Sequence, residues 1–346
     1  MKEKEQKVIR TLVVEDMPFL QRAIKRALQK DPSIQVVGTA AHGKEALKAL
    51  ERLKPDVITM DVEMPEMDGI TAIKHIMVRY PRPVVVVSGM AKSSKTALAA
   101  LSLGAVDFVP KPGGSSYRTR SFNLNELCTI VKEVAAIDPT KIRRAKFHKR
   151  DRVVMRPAKR PDGLVVIVAQ RGTMGFVIRL LAMSEGLKGA GLLVVSELDE
   201  LVVKSCAEGL KGRVLFDILP AGSEVPILAG AAAIIPRKWE FSLTFDKKGV
   251  PLLRRVNTTS GLRYLQDLTS TFNGSIHFLY IGNKIEDWIK GAIKSAGAKV
   301  TIYDPFERSL DLQGDKDLVE QILNSEFELQ RVLGHWIHSF AKERIN

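Results

Sequence analysis

The chain has 346 residues, 45% of them hydrophobic and 27% charged, which suffices for two cores and excludes a wholly disordered protein. Its two cysteines, Cys128 and Cys206, exclude a disulfide framework and a cysteine-built zinc site. Charged residues interrupt every apolar run short of membrane-spanning length, and the start MKEKEQKVIR lacks a signal peptide's apolar stretch, so a cytoplasmic protein without membrane insertion is expected.

From residue 7 onward strand and helix patterns alternate. VIRTLVVED reads as a buried strand, MPFLQRAIKRALQK as an amphipathic helix, IQVVGTA as a strand and GKEALKALERLK as a helix. PDVITMD, RPVVVVSG and DFVPKP follow as strands, separated by the helical DGITAIKHIMVRY and SKTALAALSLGA, and LNELCTIVKEVAA closes the series. Five such units predict a doubly wound, mostly parallel α/β domain over residues 1–137. Ligands of such sheets bind at the carboxyl ends of the strands. There the sequence places Glu15 and Asp16, then Asp61, then Ser88, then Lys111. Three gathered carboxylates repel one another unless a cation joins them, and a hard divalent ion such as Mg²⁺ suits oxygen ligands. With the Lys111 ammonium and the Ser88 hydroxyl, this is an apparatus for phosphoryl transfer to a carboxylate, with Asp61 as the central acceptor.

Residues 138–163 hold ten lysines and arginines against three acids, half of the net charge of +14, with three prolines and little periodicity. They read as a basic linker. No recognition-helix or zinc motif accompanies the charge, so solvation is expected in preference to nucleic-acid binding.

After Pro161 the α/β rhythm resumes over residues 164–346. DGLVVIVA, GAGLLVVS, GRVLFDIL, GSIHFLYIG and AKVTIYD read as strands, with helices between and short strands around a KKG turn. The tail from GDKDLVEQIL to RVLGHWIHSF reads as helical. The strand–turn–helix corner VIVAQRGTMG is the place where α/β enzymes keep a nucleophile, yet it offers Gln170, Arg171 and Thr173. Arg171 is expected to be a solvated loop arginine, and Glu197 and Glu240 to be exposed rather than paired. His335 and His338 are expected to lie on a helix without metal, and the three tryptophans to lie in core or interface.

VVED, DVEMPEMDG, VVSGM and DFVPKP resemble the receiver domain of two-component response regulators. The resemblance implies that Asp61 is phosphorylated by a sensor histidine kinase. It implies that Glu15, Asp16 and Asp61, with the main chain of Glu63, hold Mg²⁺, and that Ser88 and Lys111 grip the phosphoryl group while Phe108 acts as the switch aromatic. It also implies a cis Lys111–Pro112 bond. The receiver, the linker and the second sheet together resemble the chemotaxis protein-glutamate methylesterase (CheB) family. The likeness is carried by VVVVSGMAKSSKTALAALSLGAVDFVPKP and, more faintly, by IVAQRGTMG, GLLVVSEL, AGAAAIIPRKWEFSL and YIGNKIEDWIKGAIKSAGAKVTIYD. At the family's catalytic serine this chain places Gln170, at the histidine Glu197 or its neighbour Ser196, and near the aspartate Ile285 with Glu286 and Asp287 adjacent, while the second histidine segment ends in Glu240. A Ser-His-Asp machine needs an activated hydroxyl, a proton-cycling base and an orienting acid; Gln170 is no nucleophile, and no local residue supplies the base. The expectation is therefore a phosphorylation-dependent chemotaxis-type regulator whose effector binds a chemoreceptor or a similar protein instead of hydrolysing it. The alternatives are an active methylesterase using Ser184, Ser196 or Ser205, and a DNA-binding regulator using the basic linker.

Overall fold

A computed structural model describes residues 8–89, 93–111, 124–147, 159–184, 186–257, 263–272, 274–295, 298–306 and 316–342. The chain divides into two compact units, Met1–Ala145 and Lys146–Asn346.

In the first unit the strands are β1 (Ile9–Val14), β2 (Ile34–Ala40), β3 (Val57–Met60), β4 (Val84–Gly89) and β5 (Asp107–Lys111). The helices between and after them are α1 (Pro18–Leu28), α2 (Gly43–Leu53), α3 (Gly69–Arg79), α4 (Ser93–Leu103) and α5 (Leu124–Val134). The sheet is parallel throughout, in the order β2-β1-β3-β4-β5. Parallel strands covered by helices on both faces read as continuous apolar runs, as β3 and β4 do. Helix entries are set by side chains: Asp68 Oδ1 accepts from Thr71 N at 2.7 Å, and His42 Nδ1 accepts from Glu45 N at 3.3 Å while Glu45 reaches back to Ala41 N. The basic segment does not begin free at residue 138. Through Ala145 it packs on this unit, with a short 3₁₀ turn at Pro139–Lys141, a buried Ile142 and Ala145 N donating to Ser102 O. Residues 148–158 of the expected linker lie outside the described residues.

The second unit comprises β6 (Gly163–Ala169), α6 (Met174–Met183), β7 (Ala190–Ser196), α7 (Glu200–Leu210), β8 (Asp217–Leu219), β9 (Glu224–Pro226), β10 (Ala231–Pro236), β11 (Glu240–Phe245) and β12 (Pro251–Val256). It continues with α8 (Arg263–Thr271), β13 (Ser275–Ile281), α9 (Asp287–Ser295), β14 (Val300–Tyr303), β15 (Val319–Leu323) and α10 (Glu326–Lys342). Seven strands make a parallel sheet in the order β15-β14-β13-β6-β7-β10-β8, and β11-β12-β9 form a separate antiparallel ribbon. Two expectations need correction. The tail is not helical throughout: Val319–Leu323 pairs in parallel with β14 as the edge strand, because that edge offers unpaired main-chain groups. β9 was not foreseen, since three residues carry no periodicity and form a strand only beside β12. Gly163 is required at the start of β6, where a Cβ would meet the Phe340 ring of α10 at 2.1 Å.

Candidate functional site

In the first unit Val14 of β1 stands opposite Met60 of β3, so the next residue of each strand, Glu15 and Asp61, emerges side by side at the carboxyl edge. Gly89 of β4 is paired with Lys111 of β5, which brings the lysine to the same edge with Ser88 one residue away. Lys111 Nζ lies 2.7 Å from Glu15 Oε2 and 2.8 Å from Asp61 Oδ2. Asp61 Oδ1 accepts from the main-chain N–H of Val62 at 2.7 Å and, less directly, from that of Glu63 at 3.4 Å. Burial pushes both Glu15 and Asp61 above the ordinary carboxylate range, and the adjacent Lys111 offsets this in part. Ser88 and Phe108 are buried beside the site, Phe108 only 2% exposed. The Phe108 ring thus lies inside in this structure, so any movement of it would not be a simple passage from solvent to core. Pro112 and the expected cis bond before it lie outside the described residues.

Ligand atoms of Glu15, Asp16 and Asp61 lie within 4.8 Å of one another. Glu15 Oε2 is buried and held by the Lys111 ammonium at 2.7 Å. Three carboxylates offering hard oxygen donors at this spacing fit a divalent cation. Two supporting residues escaped the sequence reading. Gln21 Nε2 donates to the carbonyls of Glu15 (2.9 Å) and Ala40 (3.2 Å) and so fixes the loop that carries the acids. Its position, three and seven residues before Ile24 and Leu28 of the buried stripe, was the available signal. At Gly69 a Cβ would fall 2.1 Å from the Asp61 carbonyl, so only glycine lets α3 begin this close to Asp61.

In the second unit Ala169, Ser196, Pro236 and Ile281 form one cross-strand row, and the residues that follow them share the carboxyl edge. These are Gln170, Glu197, Arg237 and Gly282. Gln170 occupies the corner, and its Oε1 accepts from Asn283 N at 3.0 Å with the Tyr280 hydroxyl 3.3 Å away. A Cβ at position 282 would stand 2.3 Å from that oxygen, so the amide seats directly on Gly282. Gly172, at φ +83°, completes the turn into α6.

Arg237 contacts Glu197 Oε1 at 2.7 Å and Glu286 Oε2 at 2.5 Å, while Arg171 Nε lies 3.7 Å from Glu197 Oε2. Burial first, and the neighbouring Glu286 second, raise Glu197 to about 7. Two expectations are corrected here. Arg171 is held by Glu197 instead of being solvated. Glu197 is largely buried instead of exposed, between Arg237 and Arg171 and beside Glu286. At the third position Ile285 points into the core, and Glu286 faces the site. Arg237 could not be chosen from sequence, because only the strand register places it opposite Glu197. Of the alternative nucleophiles, Ser196 is buried and accepts from Leu198 N, Ser205 is buried within α7, and Ser184 ends α6. Trp239 is buried with Arg255 above its ring, and Trp336 is stacked on His277. His338 Nδ1 meets Gly334 O of its own helix. Among the described residues no helix is long and apolar enough to cross a membrane.

Residues 11–117 match the model of the response regulator receiver domain. Over 283 residues the chain is 32% identical to a protein-glutamate methylesterase/protein-glutamine glutaminase of Symbiobacterium thermophilum, covering 78% of each. A second protein of that name, from Pseudomonas fluorescens, is 55% identical over 104 residues, 30% of this chain and 28% of that one. The response regulator domain of Thermotoga maritima CheB is 41% identical and covers 38% of this chain and 99% of that structure, with a TM-score of 0.35.

Proposed function

We propose, from the premise that this chain belongs to the protein-glutamate methylesterase/protein-glutamine glutaminase family of chemotaxis-type response regulators, that its receiver is a working phosphoacceptor and its effector a binding domain without hydrolase chemistry. The observation that carries the reading is the corner of the second sheet, where Gln170 stands in line with Glu197, Arg237 and Gly282 and its carbonyl is engaged by Asn283 and Tyr280. An amide is no nucleophile, and the acids nearby are engaged by the guanidinium groups of Arg237 and Arg171.

In the receiver, a carboxylate oxygen of Asp61 attacks the phosphorus of a phosphohistidine presented by a sensor kinase. The P–N bond breaks, the imidazole takes up a proton, and an aspartyl phosphate forms. Mg²⁺ held by Glu15, Asp16 and Asp61, with the Glu63 main chain, would supply countercharge to the phosphoryl oxygens. Val62 N–H orients the Asp61 carboxylate, Lys111 gives up its contact with Asp61 to the incoming phosphoryl oxygen, and Ser88 donates to another. The added charge of about −1.5 to −2 draws Ser88 and displaces Phe108, which repacks the face formed by α4, β5 and α5 and alters how a chemoreceptor or similar partner is bound.

The test is twofold. Acetyl phosphate with Mg²⁺ is expected to leave one hydroxylamine-labile phosphoryl adduct, absent in Asp61→Asn, and the purified chain is expected to release no methanol from methyl-esterified receptor peptide. Absence of the adduct sinks the receiver half; methanol release sinks the effector half. A second reading, an active methylesterase, is favoured by the activity named for the relatives. Labelling of a serine by a fluorophosphonate probe would support it.

A further inference from the structure

Gln170 is anchored twice, and the two anchorages are independent. Its main chain is fixed by the sheet and the turn: Gln170 N donates to Ile281 O at 3.0 Å, and Gln170 O accepts from Thr173 N at 3.0 Å and from Thr173 Oγ1 at 2.6 Å. The corner keeps its shape without help from the side chain. That side chain, whose rotamers are costly to order, nonetheless leans toward β13 and ends on Gly282.

What it meets there is a seat for one carbonyl oxygen. Gly282 N donates to Tyr303 O of β14 at 3.0 Å, which fixes the main chain on the far side of the corner, and the next N–H, that of Asn283, donates to Gln170 Oε1 at 3.0 Å. The floor is bare: a Cβ on Gly282 would stand 2.3 Å from that oxygen and 2.7 Å from the Tyr280 ring. The Tyr280 hydroxyl, 3.3 Å from Oε1 and 2.5 Å from Lys284 O, forms the wall. The Gln170 Nε2 group meets no acceptor among the described residues. The seat therefore selects a carbonyl oxygen and is indifferent to whether the acyl group carries an amide nitrogen or an ester oxygen. Gln170, Asn283, Glu197, Glu286 and Arg237 are each partly exposed, so the corner opens to solvent.

We infer that Gln170 is a ligand held in cis: its carboxamide fills a carbonyl-binding seat at the carboxyl edge of the second sheet and closes that seat to a neutral acyl group, amide or ester, brought by another molecule. This self-occupancy deepens the reading of the corner as a binding site and rests on its claim that Gln170 is no reagent. Methanol release from receptor peptide counts against that reading alone, whereas the Asn283 amide signal decides the seat.

Propionamide is the probe, because it is the fragment that Gln170→Gly removes. The readout is the nuclear magnetic resonance signal of the Asn283 amide in the full chain labelled at asparagine, identified by its loss in Asn283→Ser. In the parent chain a propionamide titration is expected to leave the signal unmoved. In Gln170→Gly the signal should move upfield as the hydrogen bond is lost, and propionamide should return it saturably, with an affinity at least tenfold above that of the parent chain. Methyl propionate should return it as well, and propylamine, a cation without an acceptor, should not. If Gln170→Gly does not fold, Gln170→Ala with acetamide, the fragment which that substitution removes, gives the same readout. An unmoved Asn283 signal in a folded variant, no return with the matching amide or with the ester, a return with propylamine, or equal responses of parent and variant would each overturn the inference.

Discussion

Lys111 sits between two buried carboxylates, and its removal separates two roles that one contact combines. Without it Glu15 and Asp61 keep their oxygens for a cation but lose a donor for the phosphoryl group. Lys111→Met is expected to slow modification by acetyl phosphate about 10²-fold, the usual loss for one preorganised donor, while MgCl₂ still raises the melting temperature over an EDTA control. Glu15→Gln should abolish that magnesium shift. Differential scanning fluorimetry of both variants decides the assignment. In the second unit, Glu197 offers a pH test. Its folded pKa of about 7 stands above the unfolded value of 4.5, so between those values the folded chain holds the extra proton. The stability it contributes is full below about pH 4.5 and is lost as pH rises through about 7. Glu15 and Asp61 act in the same direction, so the Glu197 share is isolated by difference. Urea denaturation across this window should show a shallower fall in Glu197→Gln than in the parent chain, and identical slopes would refute the shifted acid.

Among the elements, α3 depends on the acceptor loop for its position. Gly69 follows the cap Asp68, and a methyl group there would strike the Asp61 carbonyl. Gly69→Ala is expected to cost about 2 kcal/mol in denaturant unfolding, as overpacked sites do, and to lower the phosphorylation rate because Asp61 must shift. Asp68→Ala removes the cap bond and should cost only about 1 kcal/mol with Asp61 undisturbed. The pair separates a local helix effect from an effect on the acceptor. The strands and helices of the first unit were legible because each carries a long periodic or continuously apolar pattern, and the acids fall at strand ends. β15 and β9 were not. VEQIL reads equally well as a turn of helix, and its strand state comes from the open edge of β14, a partner the local pattern does not reveal.

At the scale of the whole molecule, each unit completes its own sheet, so the two are separable by the chain. A fragment of residues 1–145 is expected to fold and to accept phosphate from acetyl phosphate, read as a cooperative melt and a single labile adduct by mass spectrometry; an unfolded or unreactive fragment would show that the receiver needs the second unit. Residue order alone determined which side chains gather at the carboxyl edge of the first sheet, because a parallel α/β sheet sends every strand's last residue to one edge. It also determined that Gln170 stands at the corner of the second sheet. Only the tertiary structure decided what surrounds that corner. Arg237, Glu286 and Asn283 come from segments distant in the chain, and which of them meets Glu197 or Gln170 depends on strand register and on where each loop turns, quantities set by packing across the sheet and not by any local pattern.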